Sequence, residues 1–212
     1  MRPARSPSSS SGPLISDPVR FVLATRNAHK LRELGVLLAP HELEPLPAGA
    51  ELPPETGSTF GENALIKAEA AARATGRPAI ADDSGIAVEA LGGGPGIYSA
   101  RYAGEGATDE ENLVKLLGEL RGRTDRRAAY VCVLALAEPG REPELFEGRC
   151  EGVVFDEPRG SGGFGYDPAF LPDERAAGDE RTMAELAPRE KDEISHRGRA
   201  ARALLERLAV QA

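Results

Sequence analysis

"RFVLATRNAHKLRELGVLLAP", residues 20–40, changes its period partway through. Arg20 to Thr25 form a short β-type run. From Asn27 onward Leu31, Leu34, Leu37 and Leu38 recur at helical spacing, with Asn27 as candidate N-cap and Pro40 as the stop. A strand feeding a helix directly opens an α/β unit. Such a junction also aims free backbone N–H groups and the positive end of the helix dipole at whatever lies beyond it.

The same alternation continues along the chain. "TFGENALIKAEAAARATG" (59–76) reads as an Ala-rich helix, with Thr59 and Glu62 at capping-box spacing and Gly76 beyond its end. "RPAIAD" reads as a brief strand that delivers Asp82 and Asp83 at its carboxyl end. "TDEENLVKLLGELRG" (108–122) repeats the helix logic, from Thr108 and Glu111 to Gly122. "AAYVCVLALA" (128–137) is apolar enough for a central strand. "LFEGRCEGVVF" (145–155) puts Phe146, Gly148, Cys150, Gly152 and Val154 on one face of a half-buried strand. A Gly-rich loop spans 158–170, and "ISHRGRAARALLERLAV" (194–210) is the last helix, with Ser195 as its N-cap. The class is α/β with a mixed sheet.

The first 18 of 212 residues, "MRPARSPSSSSGPLISDP", are Ser/Pro-rich and aperiodic. They cannot bury enough apolar surface to offset ordering, so a disordered tail is expected there and a single domain over 19–212. The tail lacks the apolar centre of a signal peptide. No run reaches the ~18 apolar residues of a membrane span. The net charge of −8 argues against binding a nucleic acid polymer, which needs a basic footprint. Cys132 and Cys150 have no metal-ligand spacing and read as small apolar strand residues, which suits a cytoplasmic protein.

Four places can carry chemistry. At the first strand–helix junction, Thr25, Asn27 and Lys30 make a candidate phosphate cradle, although the P-loop pattern is absent; a capped helix with a surface lysine is the ordinary alternative. Asp82 and Asp83, as strand neighbours, point to opposite faces and so serve different tasks: one can hold Mg²⁺ or take a proton from water, the other can brace a loop. An Asp-Ser-Gly turn is the ordinary alternative, which the costly backbone of "LGGGPG" (91–96) disfavours. Glycines flank Phe164 in "GSGGFGYDP" and free its ring to stack on a base, with Tyr166 and Asp167 beside it. Lys191, His196 and Arg197 gather around the last helix N-terminus, where the dipole disfavours cations and an electron-rich ligand would relieve the conflict. Lys67 alone reads as a solvated helix face. Glu55, in the proline-set "LPPETG" loop, could reach a metal or face water.

Taken in order, "LATRNAHKLREL", "TFGENALIKA", "IADDSGIAVEALGGGPGIYSARYAG", "GSGGFGYDPAF" and "EKDEISHRGRA" closely resemble the inosine triphosphate pyrophosphatase family, in its bacterial dITP/XTP pyrophosphatase branch. The resemblance runs from about Phe21 into the last helix. It implies a two-lobed fold with a long mixed sheet flanked by helices, a central cleft and a homodimer. It also implies Mg²⁺-dependent hydrolysis of non-standard purine nucleoside triphosphates to monophosphate and pyrophosphate. By motif, Thr25, Arg26, Asn27, Ala28, His29, Lys30 and Lys67 would hold phosphates. Asp83 would be the catalytic and metal-binding acid, Glu55 a second metal ligand and Ser84 a substrate contact. Phe164, Gly165, Tyr166, Asp167, Lys191, His196 and Arg197 would recognise the base. The chain departs from most members at Arg26, where they carry glycine. A non-catalytic nucleotide-binding module would share the pocket but lack turnover. An aspartyl-phosphate phosphatase would release inorganic phosphate and would show a DxD spacing, which is absent.

Overall fold

The computed structural model describes residues 18–175 and 178–210. The expected tail at 1–18 lies outside the described residues but for Pro18. Six strands form one sheet in the order β2-β1-β3-β4-β5-β6: β1 (Arg20–Leu23), β2 (Glu42–Pro45), β3 (Ala79–Val88), β4 (Arg127–Ala137), β5 (Glu144–Val154) and β6 (Phe170–Pro172). β2, β1 and β3 are parallel; β4, β5 and β6 continue antiparallel. The helices are α1 (Ala28–Leu37), α2 (Phe60–Thr75), α3 (Asp109–Glu119), α4 (Pro188–Ile194) and α5 (His196–Val210).

Alternation along the strands assigns the faces. Phe21 and Leu23 of β1 join Ile80, Leu134 and Phe146 under α1 and α5, whose Leu34 and Leu204 complete that cluster. Val22 and Ala24 face the other way, onto α2. There alanine meets alanine: Ala64, Ala68, Ala71 and Ala72 pack on Ala79, Ala81, Ala135 and Ala137. The far halves of β3, β4 and β5 build a second lobe with α3, around Ile86, Val88, Leu116, Tyr130, Cys150 and Phe170. The cleft lies between the lobes.

One expectation is corrected. The aspartates do not end a brief strand; β3 continues through Asp82, Asp83, Ser84 and Gly85 to Val88. Asp, Ser and Gly are poor strand formers, but the register from Ala79↔Ala137 to Val88↔Ala128 holds them extended against β4. On its other edge, among the described residues, β3 has an isolated bridge at Ala87↔Pro95 and pairs with a strand at Val22↔Ala79 and Leu23↔Ile80. β1 turns off there into α1, so the aspartates lie where a parallel neighbour stops, which is where open α/β sheets bind ligands. The last helix, α5, stands where it was expected, and a short helix, α4, precedes it. α4 ends at Ser195, whose extended backbone (ψ 154°) breaks the path, and Ser195 Oγ then caps α5 by accepting from Gly198 N–H at 3.0 Å.

Candidate active site

Asn27 caps α1 as expected, its Oδ1 accepting from His29 and Lys30 N–H. Thr25 Oγ1 accepts from Asn27 N–H at 3.2 Å and shapes the loop. Arg26 and Ala28 are exposed on it, and among the described residues no side-chain-bearing residue takes a left-handed φ, so Arg26 fits without strain. Lys30, one turn in, is aimed at β3 and meets Asp82 at 2.9 Å.

The two aspartates do face opposite ways. The Asp82 side chain is fully buried between Lys30 and Arg197, the latter at 3.5 Å, with Ser84 Oγ donating to it at 3.2 Å. Burial disfavours its ionised form, but the charges of Lys30, Arg197 and Lys67 outweigh burial and hold Asp82 far below the usual carboxylate range. Asp83 points to the α2 face. Lys67 Nζ reaches it at 3.2 Å and Asn63 Nδ2 donates to it at 3.3 Å. Burial, with the nearby Glu55 charge, pushes Asp83 up despite Lys67 and Lys30. Each ammonium thus contacts one aspartate and acts electrostatically on both.

Lys67 is no solvated lysine. It is 6 % exposed and bridges Asp83 to Glu55, which it meets at 2.7 Å. Glu55 is also held by Arg101 at 3.2 Å, and the two cations lower its pKa against its burial. Glu62 departs from the expected capping box: Thr59 accepts its N–H, but its carboxylate takes Ser58 N–H and Oγ–H instead.

The cleft between the lobes is lined by Asn27, Lys30, Ser84, Phe164, Gly165, Tyr166, Asp167, Lys191, His196 and Arg197, so ten of the expected residues share one cavity. Thr25, Arg26 and Ala28 line an adjoining groove with Pro45 to Ala50. Phe164 is not free-standing: its ring lies 5.1 Å from that of His29, with Lys191 and Arg197 at 5.4 and 5.5 Å from its centre. His29 therefore packs, tilted, against the Phe164 loop, while its Nδ1 accepts from Arg32 at 2.9 Å. Asp167 organises that loop by accepting from Phe164 N–H and from Lys191, both at 2.9 Å. A Cβ on Gly163, at φ +68°, would fall 2.0 Å from Asp167 Oδ2, so only glycine fits there. Tyr166 spends its hydroxyl on Ser99 O at 2.7 Å and contributes only its ring and backbone to the cavity.

The cations at the α5 N-terminus are balanced from within the chain. Glu33 of α1 binds Arg197 at 2.5 Å and Lys191 at 2.8 Å. His196 stacks on Tyr130 (4.6 Å, 8°), and burial beside Arg197 and Lys191 lowers its pKa so far that it is neutral. His196 Nδ1 and Arg197 Nε are buried without a hydrogen-bond partner. α5 reaches this position because residue 148 is glycine. A Cβ there would lie 2.1 Å from His196 O and 2.5 Å from Ala200 N.

Sequence reasoning missed Glu33, Asn63, Arg101 and Asp109. Glu33 alone had a local signal, lying three residues after Lys30 on the same helix face.

A mixed sheet, a cleft at a strand switch and two charge clusters back to back across one strand define an α/β ligand-binding protein. The chain belongs to the Ham1 family, whose model matches residues 21–207. It is 52 % identical over 187 residues to a dITP/XTP pyrophosphatase of Geobacillus kaustophilus, covering 85 % of this chain and 89 % of that one. A Deinococcus radiodurans protein of the same name is 54 % identical over 187 residues (88 % and 91 %). Among solved structures, the Staphylococcus aureus Ham1 protein superposes with TM-score 0.81 at 42 % identity, covering 91 % of this chain and 100 % of that one.

Proposed function

We propose that this chain uses Mg²⁺ to split dITP, ITP and XTP into the nucleoside monophosphate and pyrophosphate, removing deaminated purines before they enter DNA or RNA. Its family relationship makes it a hydrolase of nucleoside triphosphate anhydride bonds, acting on non-standard purine nucleotides. The observation that carries the finer reading is the pair of clusters straddling β3: Asp83–Lys67–Glu55 on one face and Asp82–Lys30–Arg197 on the other.

Water attacks the α-phosphorus, a new P–O bond forms and the bond to the β-phosphate oxygen breaks. Negative charge spreads over the phosphate oxygens, so positioned cations supply most of the acceleration. Lys30 and Lys67 are those cations, and the free N–H groups of the α1 N-terminus receive phosphate oxygens. Asp83 is placed to orient the water and take its proton, and its raised pKa makes it a better proton acceptor than an ordinary aspartate. Asp83 and Glu55 also suit Mg²⁺. Both are hard carboxylates converging on one cationic point, now the Lys67 ammonium, and Mg²⁺ takes one or two carboxylates with substrate phosphates. Bound there, the ion supplies positive charge against the phosphate oxygens.

Base selection follows from Arg197 Nε–H and, in its Nδ1–H tautomer, His196, which have no hydrogen-bond partner among the described residues. The 6-oxo group of hypoxanthine or xanthine accepts from Arg197 or His196. Adenine presents an amine there and leaves two donors facing each other in a buried site. Phe164 supplies the stacking face. Incubation with Mg²⁺ and dITP should release pyrophosphate and dIMP, with kcat/KM for dITP and XTP far above that for dATP and dGTP. Inorganic phosphate as product, or equal efficiency on all four, would refute the reading.

We extend the proposal to a cytoplasmic homodimer, as the family resemblance implies. Among the described residues no helix is long and apolar enough to cross a membrane. Sedimentation at micromolar concentration tests the dimer.

A further inference from the structure

We infer that Asp109 is a positioning residue for base recognition: it latches the Phe164 loop to the start of α3. The inference rests on the reading of the cleft as a purine nucleotide site. Asp109 is the first residue of α3, in the second lobe, and its Oδ2 accepts the Gly165 N–H at 2.9 Å. The two residues are 56 positions apart and both line the cleft.

Other ties hold the loop as well, among them His29 against Phe164, Asp167 on Phe164 N–H, Tyr166 on Ser99 O, and Gly162 N–H on Ala184 O. The first two tie it to α1 and, through Lys191, to α4. Tyr166 is anchored at its far tip. Among the described residues Asp109 is the side chain that takes the Gly165 N–H, next to Phe164, and it does so with a charge-assisted bond, the stronger kind. A ring that must lie flat on a purine tolerates little rotation of that peptide. Loss of the latch therefore weakens binding of the base and leaves the triphosphate tail untouched, since Lys30, Lys67 and Asp83 lie on other elements.

Asp109 also stands in the first turn of α3 with Glu110 and Glu111, so a helix-dipole role must be separated from the latch. Three variants do this. Asp109→Ala removes the acceptor. Asp109→Asn removes the charge but keeps an acceptor oxygen. Glu110→Gln removes an equivalent first-turn charge that makes no contact with the loop. Asp109→Ala should raise KM for dITP about tenfold with kcat within twofold, Asp109→Asn should restore most of that loss, and Glu110→Gln should match wild type. Inhibition by tripolyphosphate, which has no base, should be equal in all four proteins. An unchanged KM in Asp109→Ala, an equal defect in Glu110→Gln, or parallel weakening of tripolyphosphate would overturn the inference. Amide hydrogen exchange without nucleotide tests the latch apart from the activity: the Gly165 amide should exchange faster in Asp109→Ala. If wild type fails on dITP, the nucleotide reading falls. If Gly165 exchange is unchanged, the latch falls.

Discussion

Replacing Asp82 by asparagine keeps the shape of the side chain and removes its charge. The carboxylate is fully buried, with Lys30 at 2.9 Å and Arg197 at 3.5 Å. Removing one member of a buried pair leaves its partners uncompensated, at a cost of about 3–5 kcal/mol. Two features place the loss at the lower end. Lys30 is 16 % exposed and can turn to water, and Arg197 keeps Glu33. A loss of about 3 kcal/mol in a domain of this size lowers Tm by about 6–12 °C. The loss also depends on pH. The folded pKa of Asp82 is depressed, so its stabilisation is fully present above the unfolded value of about 3.9 and disappears as pH falls through and below it. Thermal and urea unfolding of both proteins from pH 7 to pH 3 measure this. The gap should be widest near neutrality and should narrow in acid. A Tm difference under about 2 °C at pH 7, or a gap that widens in acid, would refute the assignment of Asp82 as the buried counter-ion of Lys30 and Arg197.

Asp83→Asn should lower turnover about a thousandfold while Tm stays near wild type, because Lys67 retains Glu55; near-normal pyrophosphate release would exclude Asp83 from the chemistry. Burial and the Glu55 charge push the Asp83 carboxyl up, so its carboxyl NMR shift followed against pH without Mg²⁺ should show a midpoint above about 3.9, and a midpoint below that value would contradict the raised pKa. Gly148→Ala should destabilise by about 3 kcal/mol, and the surviving folded protein should lose affinity for dITP, because the two nearest atoms its Cβ meets belong to the α5 backbone. Unfolding midpoints and dITP titrations check both effects.

Local chemistry was legible and long-range pairing was not. The Asn27, Thr59 and Thr108 caps, the left-handed Gly76 and the alternation of β5 stand where the sequence puts them, since each is decided within a few residues. β3 was read too short because Asp-Ser-Gly has turn chemistry, which its ladder with β4 overrides. β2 is a four-residue edge strand ending in proline, and α4 has seven residues; neither is long enough to show a period. Glu33 meets its cations across 158 and 164 positions of sequence. Nothing near Glu33 announces Lys191 or Arg197. The ten cleft residues were found by motif; that Lys30 and Lys67 approach from opposite sides of one strand needed the fold.

The alanine seat of α2 sets a tolerance for the reacting centre. Ala64, Ala68 and Ala71 rest on alanines of β3 and β4, with Val22 of β1 the bulkiest buried apolar side chain of that cluster. Lys67 rides on that helix, and its reach to Asp83 is only as constant as the gap beneath it. A valine at any of those places would act as a shim, lifting the ammonium away from its carboxylate by a fraction of an ångström. The smallest side chains of the interior thereby gauge the spacing on which turnover depends.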